Sequence, residues 1–294
     1  MDKRPAMTRL SGWLRLFYSR IYVPIRTSLK FSIVIFVSLR VGVTDMGGAE
    51  GMTRQTPVGH RDVLVLADRS VLDLNADTTV FAKQTAYRRQ VFLEQGEIRA
   101  TVQHDETRPL EVFANRVVLQ DLGTQFDVSS HDRTTTVAVT SGKVQVLERR
   151  EDGSLVNPVT LTTAGARRDP VFLVIGDTAR LEEQGGTVRV FKDRNDLGAA
   201  QSRSAWLEGQ VAGRKQRLDE ALWQFERYNT VRFVFDDPAI AQLEIGGGYD
   251  LANLSDFLLA MKIGLDVEAV PVEGDGSVRR TYILRRASKG SRGR

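Results

Sequence analysis

Few side chains in this chain could make or break bonds, and their spacing argues against each such use. Histidine, the commonest base and metal ligand near neutral pH, occurs only at His60, His104 and His131. The three share no metal-ligand spacing, so each reads as a surface histidine. His104-Asp105-Glu106 could assemble a general base, but no G-x-S-x-G nucleophile turn accompanies it. Thr140-Ser141-Gly142 reads as a turn ahead of a strand. Gly246-Gly247-Gly248 is the richest glycine run, yet it follows a strand-like segment with no helix start or lysine beside it to hold a phosphate. The chain has no cysteine, which excludes disulfides, thiolate metal sites and cysteine nucleophiles. No Walker, Rossmann or EF-hand pattern occurs. The expectation is a protein that is not an enzyme and carries no cofactor or metal.

What remains is recognition. Trp206 and Trp223 are large amphipathic anchors of the type enriched at interfaces. Trp223 also sits beside Leu222 and Phe225 on a helix pattern, which leaves a core role open. Arg227 and Tyr228 follow on the same segment. Val231, Phe233 and Phe235 belong to an alternating run whose edge could accept a partner strand, and 281–284 offers a second such edge. Trp206, Trp223, Arg227, Tyr228, Val231, Phe233 and Phe235 form the expected partner-binding set.

Charge distribution narrows the partners. The chain has 294 residues, enough for two domains, and a net charge of +4. Residues 1–44 hold eight basic side chains against Asp2 alone, so the rest of the chain is slightly acidic. A nucleic-acid binder needs a basic face on its folded part, so nucleic acid is not an expected partner. Residues 31–39 are apolar apart from Ser32 and Ser38, and Arg40 interrupts the run before Val41-Gly42-Val43. A spanning helix wants about 20 apolar residues. Residues 31–44 therefore read as a membrane anchor with Lys30 and Arg40 reaching opposite interfaces, as a signal-peptide core, or as a buried helix. The basic flank would stay cytoplasmic. That places everything after about residue 45 outside the cytoplasm, at the inner membrane or, after cleavage, free in the periplasm.

The elements that must position the recognition residues fall into two kinds. Residues 44–58 are Gly-rich and polar and read as a linker. From 60 to 170, β-branched residues alternate in short runs broken by Gly, Asp, Asn or Pro, the pattern of a β-sandwich, barrel or solenoid. Arg108-Pro109 should open a strand. Residues 173–204 read as a linker with one strand from 187 to 191. Beyond Trp206 the period changes: Leu218, Ala221, Leu222 and Phe225 form a helical stripe, and Leu254, Phe257, Leu258 and Met261 another. Asn253 or Ser255 would cap the second helix and Gly264 stop it. The order helix, strand, strand, helix, strand, strand predicts a small α+β domain with two helices on a sheet. The fold class is thus a mainly β domain followed by a small α+β domain.

Several phrases resemble the ferric-citrate regulator (FecR) family. They are Val63 to Asn75 with its Asp68-Arg69-Ser70 turn, Gly96-Glu97, Arg108-Pro109-Leu110-Glu111-Val112, Leu122-Gly123-Thr124-Gln125-Phe126-Asp127-Val128, and Ser141-Gly142-Lys143-Val144. Downstream, Trp206, Gly209, Leu218-Asp219-Glu220-Ala221-Leu222, Phe225 and Arg227-Tyr228-Asn229 resemble the N-terminal signalling module of secretins and TonB-dependent receptors. Leu254-Ser255-Asp256-Phe257-Leu258 and Gly264-Leu265 continue that likeness. The resemblance implies a short cytoplasmic segment (1–30), an anchor (31–44), a FecR-like β domain (56–172), a linker (173–204), a secretin/TonB-like α+β domain (205–285) and a disordered tail (286–294). It further implies an inner-membrane transducer of iron-transport type, which relays a signal from an outer-membrane TonB-dependent receptor to an extracytoplasmic-function sigma factor. Family members usually carry a longer Trp-rich cytoplasmic segment, of which Trp13-Leu14 is the only echo. A periplasmic binding or cell-envelope scaffold protein without sigma-factor contact is the alternative. Where the family usually has Asp-Gly-Ser, Arg69 replaces the glycine, implying an ordinary turn or a small strain.

Overall fold

Alternation between 52 and 193 produces a succession of strands, visible in a computed structural model that describes residues 51–121, 123–162, 165–273 and 278–287. The segments read above as cytoplasmic and as anchor or signal, and the tail beyond residue 287, lie outside the described residues. Among the described residues no helix is long and apolar enough to cross a membrane.

The strands are β1 (Met52–Thr56), β2 (Asp62–Val65), β3 (Val71–Leu74), β4 (Thr78–Gln84), β5 (Arg89–Thr101), β6 (Leu110–Ala114), β7 (Val117–Asp121), β8 (Gln125–His131), β9 (Thr134–Ser141) and β10 (Lys143–Arg149). They continue with β11 (Leu155–Val156), β12 (Val159–Thr162), β13 (Gly165–Arg167), β14 (Val171–Val174), β15 (Thr178–Gln184) and β16 (Thr187–Asp193). The long strand β5 organises them. Its first half pairs with β4 and, in parallel, with β6; its second half pairs with β3 and β8. Between the halves sits Gly96 at φ +101, where a Cβ would lie 2.5 Å from the Thr78 Cα. Only glycine fits this bend. The sheet curls about it, so that Leu72, Ile98 and Phe126 from one half share a core with Val91, Val112 and Val146 from the other. Strand order runs β11-β10-β7-β6-β5-β8-β9-β15-β16-β12-β13.

The structure corrects several local readings. The polar stretch 44–58 ends in strand β1, which pairs with β4 and has almost no apolar signal of its own. The segment 173–204 holds the hairpin β15–β16, and β15 extends the sheet from β9 and buries Ala179 and Leu181. At the Asp68-Arg69-Ser70 turn, Arg69 adopts φ +70. The turn is held by Asp68, which accepts from the Ser70 N–H and hydroxyl at 3.0 and 2.8 Å. A left-handed conformation costs a non-glycine residue about 1–2 kcal/mol, partly offset by glycine's extra chain entropy. Arg69→Gly should therefore raise stability by up to about 1 kcal/mol, measured as a rightward shift of the urea midpoint.

The second part comprises α1 (Leu197–Ser202), a 3-10 turn (Ala205–Glu208), β17 (Gln210–Arg217), α2 (Leu218–Tyr228), β18 (Val231–Phe235), α3 (Pro238–Ala241), β19 (Glu244–Asp250), α4 (Leu254–Leu265), β20 (Val267–Pro271) and β21 (Arg280–Arg286). The α2 stripe Leu218, Ala221, Leu222 and Phe225 is fully buried, and Phe225 meets Phe257 of α4 with ring centres 4.3 Å apart. Each large apolar side chain so buried contributes about 1.5–3 kcal/mol relative to exposure. Asn253 caps α4, accepting from the Asp256 N–H at 3.2 Å. The helix passes through Gly264 and ends where Asp266 turns left-handed at φ +52, so Gly264 is not its stop. The predicted strand order lacks β17 and α3, and Gly246-Gly247-Gly248 lies inside β19, paired antiparallel with β17. The other sheet has the order β18-β21-β20. Residues 281–284 are thus its central strand and offer no edge. The β body and the α+β part belong to one compact unit, Asp45–Arg294.

Candidate functional site

Helix α2 has a second stripe. Glu220, Trp223, Gln224 and Arg227 fall at i, i+3, i+4 and i+7, opposite the apolar one. They face the outer surface of the curled sheet, where cross-strand register aligns Glu97, Ser129, Thr136 and Arg180 across β5, β8, β9 and β15. The row beside it aligns Arg99, Asp127, Ala138 and Thr178. The two parts therefore meet through polar side chains, and the seam carries charge into the interior.

Its centre is an ion pair between Arg227 and Glu97, 2.9 Å apart, with side-chain exposures of 1 % and 5 %. The Arg227 guanidinium also donates to the Ala76 carbonyl at 2.7 Å and to Thr78 Oγ1 at 2.8 Å. Glu97 Oε2 accepts in addition from Asn75 at 2.8 Å and Gln224 at 2.9 Å. The Tyr228 hydroxyl donates to Asn75 Oδ1. Burial pushes Arg227 below its ordinary pKa, against the pull of Glu97, and pushes Tyr228 up to about 12. Tyr228 therefore keeps its proton at neutral pH.

A second cluster joins Arg203, Glu220, Arg180 and Glu182. Glu220 bonds Arg180 and Arg203, each at 2.6 Å, and Arg180 bonds Glu182 at 2.7 Å. Burial works to raise the Glu220 carboxyl, but Arg203 and Arg180 outweigh it and hold it below the usual range. Nearby, Asp127 of β8 is 3 % exposed and accepts from the Ser204 hydroxyl at 2.6 Å. Its Oδ1 has no hydrogen-bond partner among the described residues, nor has the Trp206 indole nitrogen. That indole lies near enough to lower the Asp127 pKa without reaching hydrogen-bond geometry. Burial pushes Asp127 up to about 7; Glu97 adds to the rise, while Ser204, Arg99 and Trp206 oppose it.

Between the clusters opens a cleft of about 340 Å³, walled by β8, β9 and Arg180 on one side and by α2, Phe235 and Ala241 on the other. Trp223 stands in its wall. The ring is flanked by His131, 4.9 Å between ring centres, and by the Arg227 guanidinium at 4.5 Å. Partial burial lowers the His131 pKa, with Asp132 opposing and Arg227 pushing the same way.

The seven expected partner-binding residues are therefore placed as follows. Trp206, Val231 and Phe233 lie in the α+β core, and Arg227 is buried in the seam. Trp223, Tyr228 and Phe235 are half-buried, Trp223 and Phe235 beside the cleft. None is a freely exposed anchor. Strand β18 is an edge of its sheet, but Glu226 of α2 covers part of it by accepting from the Phe233 N–H at 2.6 Å. The residues missed from sequence are Asn75, Glu97, Asp127 and Arg180. The signal available for them was the polar stripe on α2, which demanded a polar counterface.

Residues 52–145 match the FecR protein family profile. No curated protein matches the chain. Two crystal structures of a protein from Parabacteroides distasonis, named "putative anti-sigma factor", superpose with a TM-score of 0.63 at 22 % identity. The likeness covers 81 % of this chain and 100 % of that one, and at this identity it is a likeness of fold. With its quoted motifs inside the matched region and the curled sheet they build, residues 52–145 form a FecR domain.

Proposed function

We propose that this chain is a signal transducer of the FecR kind, single-pass in the inner membrane with its C-terminus in the periplasm. The α+β part, of secretin/TonB type, binds the signalling domain of an outer-membrane TonB-dependent receptor. A cytoplasmic segment then regulates an extracytoplasmic-function sigma factor. The FecR match carries the reading, and the fold shared with a protein named as an anti-sigma factor supports it. The seam suits such a role. Interfaces between parts of one chain that resemble transient complexes are polar and allow relative motion, and a transducer needs a coupling free energy of about 1–3 kcal/mol between two binding events. A second reading, a periplasmic binding or scaffold protein without sigma-factor contact, is favoured by the cleft.

Expression of the full chain with a C-terminal periplasmic reporter separates the two. The transducer reading expects an uncleaved protein in the membrane fraction and a sigma factor that co-purifies in detergent. A soluble product whose N-terminus starts near residue 50 removes the cytoplasmic contact and leaves the binding-protein reading.

A further inference from the structure

The turns at Asp68-Arg69-Ser70 and Arg108-Pro109 converge on one end of the β body, away from the seam. Strand β4 joins the two ends: Thr78 accepts from Arg227 in the seam at 2.8 Å, and Gln84 runs into the turn 85–88. At that far end the Arg89 guanidinium, 1 % exposed, ties the turns together. It donates to Asp68 Oδ2 at 2.7 Å, to the Gln103 carbonyl at 2.9 Å and to the Arg108 carbonyl at 2.6 Å. Arg108 in turn donates to the Thr85 carbonyl at 3.3 Å. The Thr85 hydroxyl accepts from the Tyr87 and Arg88 N–H groups at 3.2 and 3.0 Å. The turns 66–70, 85–88 and 103–108 are thus held as one tip.

Arg89 by itself closes the end of the sheet; what the tip presents points to a partner. Tyr87 is 86 % exposed. On the same end Arg69 and Arg88 are exposed and Lys83 is half-buried. Among the described residues none of these three has a carboxylate within ion-pair distance, because Asp68 is taken by Arg89 and Asp105 by Arg108 at 2.8 Å. Glu106 lies beside His104, 3.5 Å away. The chain also enters the fold here. Met52 pairs with Ala82, two residues before the end of β4, and Gly51 lies over the Phe81 ring with no room for a Cβ. Residues 45–50 reach back at most about 20–25 Å to the apolar segment 31–44.

We propose that this tip docks on the anionic phospholipid surface of the membrane that holds residues 31–44, with Tyr87 among the headgroups and Arg69, Lys83 and Arg88 against their phosphates. An exposed tyrosine is an amphipathic ring of the kind that collects at membrane–water interfaces. Each basic side chain at an anionic bilayer surface strengthens attachment about fivefold. Because the Arg89 bonds already fix the three turns, docking carries little ordering cost. The α+β part sits at the opposite end of β4 and would then face away from the bilayer, towards a partner in the periplasm. The inference rests on the anchored reading for the position of the membrane.

The chain has no cysteine, so one introduced thiol labels one site. Full-length Tyr87→Cys carrying a nitrobenzoxadiazole dye would be reconstituted into phosphatidylcholine vesicles with and without phosphatidylglycerol, each containing a headgroup nitroxide quencher. Ile263→Cys, on α4 and 74 % exposed, serves as the control. The expected result is quenching at position 87 that needs phosphatidylglycerol and is relieved by salt, with position 263 unquenched throughout. Adding Arg69→Gly and Arg88→Gln, both at exposed turn positions, should lower the ratio of docked to free tip about tenfold or more. A chain that washes off neutral vesicles defeats the anchored reading alone. The tip is then read on the soluble chain, whose binding to phosphatidylglycerol vesicles should weaken by the same factor in the double variant. A position-87 label indifferent to phosphatidylglycerol overturns the proposal and leaves an acidic protein surface as the tip's partner. Quenching that the double variant leaves intact, or that position 263 shares equally, overturns it as well.

Discussion

Arg227→Met should lower the unfolding free energy by about 3–5 kcal/mol, because it leaves Glu97 charged and unpaired in the interior. The guanidinium does four jobs at once: it neutralises Glu97, satisfies the Ala76 carbonyl and Thr78 hydroxyl, and lies over the Trp223 ring. Methionine keeps the aliphatic volume and loses every one of those contacts. The double variant Arg227→Met, Glu97→Gln removes the stranded charge and keeps acceptors for Asn75 and Gln224. It should recover most of the loss, since a buried ion pair contributes less than the penalty of breaking it. Urea denaturation followed by tryptophan fluorescence measures both, as Trp206 and Trp223 lie in and beside the seam. A single-variant loss below about 1 kcal/mol would mean the pair is not a buried one.

Asp127→Asn should stabilise the protein increasingly as pH rises. The native carboxyl is raised to about 7 from an ordinary 3.8, chiefly by burial. Below the lower value both states are protonated and the wild type has its full stability. Between the two values unfolding takes up charge that the folded state resists, and stability is lost as pH rises. Above 7 the loss is complete, at most about 4 kcal/mol at 1.36 kcal/mol per pKa unit. Glu220 and Asp68 run the opposite way, with folded pKa values held low, and contribute stability that appears as pH rises past their unfolded values. The difference between variant and wild type isolates Asp127 from them. It should be near zero at pH 4 and should reach a few kcal/mol by pH 8. Asparagine retains an acceptor for the Ser204 hydroxyl, so a flat difference across that range would show that the Asp127 carboxyl is not desolvated.

These two residues show where sequence reasoning stops. The elements were legible because their signals are local. Period-two alternation in Leu110–Ala114 and Lys143–Arg149 specifies strands whatever lies across the core. The stripe Leu218, Ala221, Leu222 and Phe225 likewise specifies α2. Strands β1 and β17 were not legible. Their sequences, Met-Thr-Arg-Gln-Thr and Gln-Val-Ala-Gly-Arg-Lys-Gln-Arg, offer almost no apolar side chains, and each exists because a neighbouring strand supplies its hydrogen bonds. The hairpin β15–β16 hid for a similar reason, since only Ala179 and Leu181 mark β15 as buried.

The site was legible in its residue types and not in its use. Large aromatics and arginine after residue 205 suggested an outward-facing interface, and the same properties serve an internal one: an amphipathic tryptophan and a forked guanidinium suit any surface that is half apolar and half charged. By itself the sequence determined a mainly β domain followed by a small α+β part, and the absence of cysteine chemistry, because composition and short-range periodicity suffice for those, while the FecR likeness rested on the quoted motifs. Only the tertiary structure decided that Glu97 meets Arg227 across 130 residues of chain, that Asp127 loses its water, and that a cleft opens between the two parts. The physical reason is that charge has no period. A carboxylate reads the same in sequence whether it ends in solvent or in the interior, and its energy is set by the dielectric and the partners that the fold places around it.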